Sequence, residues 1–145
     1  PLYAEALQAD YKKIGVDVQI KIVDYAVIDT LTQSGDYDMI ISSVVTANTG
    51  QPVWFLKQYW GTGVEYNGSG FSSPRFDELI ALGESGADPV IRRNAVINAQ
   101  QLMLDESVAL FLGYPKINIV DNKHIDGIKM TPSEYYMITK DLKRK

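Results

Sequence analysis

The most regular signal along this chain is a switch between two hydrophobic periods. Residues 2–14 set Tyr3, Leu7, Tyr11 and Ile14 on one helical face. Gly15 follows where a helix would end in the left-handed conformation that glycine adopts at low cost. Residues 16–23 then alternate, Val18, Ile20 and Ile22 against Asp17, Gln19 and Lys21, the pattern of a strand with one buried face. A short helix is expected over residues 26–33, closed by Ser34 and Gly35. Residues 39–45 form a nearly continuous β-branched run, Met39-Ile40-Ile41-Ser42-Ser43-Val44-Val45, suited to a strand covered on both faces. Strand, helix, strand in this order predicts a βαβ unit with parallel strands and a right-handed crossover.

Two further helix starts are plainly written. Ser73-Pro74 and Asp88-Pro89 each place a capping oxygen before a proline whose missing N–H costs nothing at the first helical position. Phe76, Leu79, Ile80 and Leu82 give the first of these helices a modest apolar face. In the second, Ile91, Ala95, Ala99, Leu102 and Met103 oppose Arg92, Arg93, Asn98 and Gln101. Residues 109–112 and 116–120 read as strand around Gly113-Tyr114-Pro115, where the proline argues for a bend or an edge. Asp126-Gly127 suggests a turn. Between residues 61 and 73 four glycines stand among serines and aromatics, a composition expected of a mobile loop, and Asn67-Gly68-Ser69 fits a glycosylation acceptor by pattern. The whole is an α/β fold with a mixed sheet and flanking helices.

Composition narrows the function classes. A chain of 145 residues has room for one domain with a real core. Its net charge of −4 comes from mixed acids and bases, so no basic stripe for nucleic acid is present. No run approaches the ~20 apolar residues of a membrane span, and no signal segment opens the chain. The absence of cysteine excludes disulfides, thiolate metal sites and thiol nucleophiles. The single histidine, His124, lies in a polar stretch with the look of a turn. Asp36 and Asp38 flank a strand start, while Asp77 and Glu78 fall in a helix's first turn, where they complement its dipole. Neither a catalytic constellation nor a cofactor motif emerges, and the expectation is a protein without catalysis or cofactor.

One segment does point to a ligand. The run 39–45 feeds Thr46-Ala47-Asn48-Thr49-Gly50-Gln51, and Pro52 opens a helix ahead of Trp54, Phe55 and Leu56. In open α/β sheets ligands collect beyond the carboxyl ends of strands, where backbone N–H groups and helix termini face them. An ordinary strand-to-helix connection has the same pattern. Taken as a site, it offers Thr46, Asn48, Thr49 and Gly50, with Trp54, Phe71 and Tyr114 as apolar walls.

Several of these stretches resemble, in order, the extracellular solute-binding proteins of family 5, the receptors for dipeptides, oligopeptides and nickel complexes in ABC importers. They are the entry at residues 9–18, Ser34-Gly35-Asp36-Tyr37-Asp38, Thr49-Gly50-Gln51-Pro52, residues 71–80, residues 101–106, Leu112-Gly113-Tyr114-Pro115 and residues 125–136. The resemblance implies a type II periplasmic-binding-protein-like lobe, truncated at its N-terminus: residues 1–145 would be the C-terminal lobe of a longer, extracytoplasmic chain. Its partners would be the N-terminal lobe of that chain, an oligopeptide or metal-chelate ligand in the cleft between lobes, and an ABC permease in the membrane. A ligand-sensing lobe of a signalling receptor, or an enzyme domain completed by another domain, would use the same fold. In peptide-binding relatives an acidic residue in this loop meets the peptide's amino terminus. The matching position, aligned from Pro52, is Asn48, an amide that can hydrogen-bond an ammonium without neutralising it. Nickel-binding relatives place a histidine shortly downstream, and residues 57–71 contain none.

Overall fold

The computed structural model describes residues 2–46, 50–86, 88–116, 118–129 and 139–144. Five helices dominate them: α1 Leu2–Lys13, α2 Ile28–Ser34, α3 Pro52–Trp60, α4 Pro74–Ser85 and α5 Pro89–Asp105. A 3-10 turn, Tyr25–Val27, leads into α2, and two short strands, β1 Ile125–Asp126 and β2 Lys143–Arg144, pair antiparallel.

The helix ends follow the sequence closely. Gly15 closes α1 at φ 83, with its N–H and those of Ile14 and Val16 bonded to the last carbonyls. Gly35 ends α2 at φ 66 with its N–H on the Leu31 carbonyl. The Ser73 hydroxyl accepts from the Phe76 N–H and Asp88 from the Val90 N–H, so α4 and α5 both begin at a capped proline.

The core lies where α3, α4 and α5 meet. Phe76, Ala99 and Met103 are fully enclosed, with Val53, Leu56, Leu79 and Ile80 around them. A fully buried side chain of this kind contributes about 1.5–3 kcal/mol. Gly83 lets α3 close on α4: a Cβ there would stand 3.0 Å from Val53 Cγ2. Outside the pair, Lys57 of α3 reaches both carboxylate oxygens of Glu84 on α4 at 2.9 Å.

The expected mixed sheet is not formed among the described residues. Segments 16–23 and 39–45 belong to no ladder, so the predicted parallel βαβ pairing is absent, as are strands over the described parts of 109–112 and 116–120. Periodicity reports which faces want burial, but a strand exists only through the partner that completes its hydrogen bonds. Among the described residues no such partner stands beside these segments, and Met39 (51% exposed), Ile41 (45%) and Ile22 (80%) face solvent. Helix α1 meets the first of them through Gln8 and itself buries no residue.

The glycine-rich loop also departs from expectation. It is braced rather than loose: Asn67 Nδ2 donates to the Gly61 carbonyl at 2.9 Å and the Phe71 carbonyl at 2.7 Å. The Thr62 N–H donates to Asp77 Oδ1 at 3.1 Å, and Gln33 Nε2 of α2 donates to Glu65 Oε1 at 3.0 Å. An Asn67 amide held between two carbonyls is poorly placed as a glycosylation acceptor.

Candidate functional site

The approach to α3 is built from backbone geometry. Thr46 sits half-buried in a turn, and Gly50 takes φ 69, a conformation that strains any residue with a side chain. Gln51 is extended, and Pro52 then starts the helix. Unlike α4 and α5, α3 receives no hydrogen bond from the side chain of its cap residue. Within this turn the Trp54 N–H donates to the Gln51 carbonyl at 3.2 Å. Val53 and Leu56, buried one turn apart, lock the helix in place behind this end.

The helix carries an aromatic ridge. Phe55 lies against Tyr59 at 5.1 Å between ring centroids and edge-on to Trp60 at 5.0 Å. Tyr59 meets Tyr66 at 5.7 Å, and Trp60 meets Phe111 at 6.2 Å. Burial raises the Tyr59 phenol above its ordinary pKa, and the Asp29 carboxylate, Tyr66 and Tyr25 raise it further by disfavouring a nearby phenolate.

The residues proposed from sequence are distributed unevenly. Asn48 and Thr49 lie outside the described residues. Thr46, Gly50 and Trp54 occupy one connection, with Trp54 37% exposed on the first turn of α3. Phe71 is half-buried and packs edge-on to Phe76 at 5.4 Å, so its ring supports the core. Tyr114 projects at 93% exposure. Two clefts among the described residues have other walls. One, of about 320 Å³, lies between Gln8, Ala9, Lys12, Asp17 and Val18, where Gln8 Nε2 donates to the Val18 carbonyl at 2.6 Å. The other, of about 170 Å³, lies between α4 and α5, lined by Arg75, Leu79, Asn98, Gln101, Leu102 and Asp105. Sequence reasoning passed over the Tyr25, Asp29, Tyr59 and Tyr66 group, although Tyr25/Asp29 and Phe55/Tyr59 stand at helical i,i+4 spacing. His124 is exposed, its N–H turned onto Asn122 Oδ1 at 3.0 Å. No cluster of three His, Cys, Asp or Glu side chains occurs among the described residues.

Comparison with known proteins gives this arrangement a context. Residues 1–67 match the family model for bacterial extracellular solute-binding proteins, family 5. Over 134 residues, about 90% of its length, the chain is 24% identical to the probable di/tripeptide-binding protein 5 of Pseudomonas aeruginosa. Over its first 67 residues the chain is similar to the family 5 solute-binding proteins.

Two other relatives extend the comparison. The peptide transport periplasmic protein SapA of Haemophilus influenzae is 27% identical over 134 residues, or 89% of the chain. Dipeptide-binding protein DppE of Bacillus subtilis is 25% identical over 133 residues, or 91% of the chain. The chain spans about a quarter of the length of these curated relatives. All three are named for binding or transport rather than for catalysis. No helix among the described residues is long and apolar enough to cross a membrane.

Proposed function

We propose that this chain is one lobe of a peptide receptor serving an ABC importer, and that residues 46–50 and the start of α3 contribute one wall of its ligand cleft. The observation that carries the reading is the reach of the similarity: about 90% of the chain aligns with relatives named for peptides, well past the 67 residues of the family match. A backbone that turns at Gly50 into a helix end without a side-chain cap suits the carbonyl and carboxylate oxygens that every peptide presents. Trp54, on that same first turn, offers the apolar surface that binding pockets pair with a few placed polar groups. In this reading the ligand is enclosed between this lobe and the N-terminal lobe of an extracytoplasmic parent chain, then passed to the membrane permease. A nickel chelate would need only the same wall, but the named relatives favour peptides.

The test is calorimetry on the parent receptor with di-, tri- and pentapeptides, and with a nickel–histidine chelate as the competing ligand. Micromolar or tighter binding of a peptide, with no heat from the chelate, supports the reading. Chelate binding without peptide binding overturns it.

A further inference from the structure

Asn67-Gly68 is the one Asn-Gly step in the sequence, and it lies in the loop that joins α3 to α4. The Asn67 amide is clasped on both sides. Its Nδ2 donates to the Gly61 carbonyl at 2.9 Å and to the Phe71 carbonyl at 2.7 Å, and its Oδ1 accepts from Ser69 Oγ at 2.8 Å. One side chain therefore ties the two ends of the loop together, Gly61 at the end of α3 and Phe71 just ahead of the Ser73 cap of α4. The same dipeptide is chemically labile. Glycine has no side chain to shield its backbone nitrogen, so that nitrogen can reach the side-chain carbonyl carbon of a preceding asparagine. The amide that holds the loop is the one this chemistry removes.

We propose that Asn67 is a deamidation site and that its conversion releases the loop between α3 and α4. The Gly68 nitrogen sheds its proton and bonds to Asn67 Cγ, the Cγ–Nδ2 bond breaks, and Nδ2 leaves as ammonia with the shed proton. Water then opens the resulting five-membered imide, its hydroxyl going to one of the two ring carbonyl carbons and its hydrogen to the ring nitrogen. The product at position 67 is aspartate or its β-linked isomer, and water is the only co-reactant. Both products lack the Nδ2 donor and carry a carboxylate, so two carbonyl oxygens lose a partner and meet negative charge instead. Residues 58–74 contain no lysine or arginine to offset that charge, and Glu65 already makes the loop acidic. The two bonds from Nδ2 also hold the amide against the reaction. Both are forfeited as Nδ2 leaves, so conversion follows opening of the loop.

Peptide mapping by mass spectrometry on the full-length protein, aged in mildly alkaline buffer with and without denaturing urea, reads the conversion at position 67. The denatured protein converts at least ~10-fold faster than the folded one. In urea, where the fold no longer matters, Gly68→Ala slows the conversion by crowding the attacking nitrogen. Hydrogen exchange then reads the consequence. In Asn67→Asp the amides of Thr62, Gly70 and Phe71, each hydrogen-bonded within or beside this loop, exchange at least ~10-fold faster than in the unmodified protein, while those of α5 are unchanged. If that variant does not accumulate, wild-type protein aged after folding supplies the converted form. An Asn67 that stays intact in urea, or that converts equally fast folded and unfolded, overturns the proposal. So do loop amides that exchange alike before and after conversion.

Discussion

Gly68 passes so close to the carbonyl of Thr32 that an added Cβ would overlap that oxygen and crowd the Tyr37 hydroxyl at 2.5 Å. This approach is what fastens the glycine-rich loop to the end of α2, with the Gln33–Glu65 hydrogen bond beside it. Gly68→Ala must therefore push the loop off α2 and is expected to cost about 1–3 kcal/mol in urea denaturation. Gly63, at φ 71 with open space around its Cβ position, is the control: Gly63→Ala carries only the backbone strain, about 1 kcal/mol. Equal costs would mean that the contact with Thr32 does not hold the loop.

The core makes a sharper division. Met103 is fully enclosed between helices whereas Tyr114 stands almost free in solvent. Met103→Ala is expected to lower stability by about 2–5 kcal/mol, and Tyr114→Ala to change it by less than about 0.5 kcal/mol. Thermal melts of both variants check the pair.

The Tyr59 phenol gives a pH dependence with a definite sign. Burial, then Asp29, raises its folded pKa above the unfolded value of 10.0, so the folded state holds this proton more tightly than the unfolded one. The associated stability is complete below pH ~10 and is lost as pH rises through the folded pKa. Absorbance titration at about 295 nm should show a late-ionising component that disappears in Tyr59→Phe and ionises earlier in Asp29→Asn. A titration unchanged by Tyr59→Phe would place the late proton elsewhere.

The helices were legible because their signals are local. Ser73, Asp88, Pro52, Pro74 and Pro89 each act within one turn, and Gly15 and Gly35 end helices by their own backbone conformations. The sheet was not legible from the same sequence, since the alternation of Val18, Ile20 and Ile22 states a demand for burial without naming what meets it. The candidate site lies between these cases. Pro52 and Gly50 were readable as a loop-to-helix turn, and both behave so. Phe71 was proposed as a cleft wall; its ring packs edge-on to Phe76, five residues along, where the turn into α4 at Ser73 brings the two rings together, a packing detail that hydrophobic periodicity does not state.

Asn48 carries the chemical prediction about specificity. In the proposed reading, its neutral amide stands where a carboxylate would meet a peptide's ammonium group. In the parent receptor, Asn48→Ala should weaken binding of the preferred peptide by about 10-fold, the loss of one hydrogen bond of about 1.4 kcal/mol. Asn48→Asp should instead strengthen binding of free-amine peptides relative to N-acetylated ones, by charge-assisted hydrogen bonding. An unchanged preference in both variants would remove this loop from the site.

The central claim, that this chain forms one wall of a two-walled peptide site, is tested most directly by calorimetry of one peptide against the parent receptor and against the 145 residues alone. Association costs several kcal/mol in lost freedom whether one wall or two is present, and closure excludes water from the polar contacts. The account predicts tight binding in the parent and affinity at least ~100-fold weaker in the chain, a loss of roughly 3 kcal/mol. Equal affinities would place the whole site within this chain and contradict the two-walled cleft.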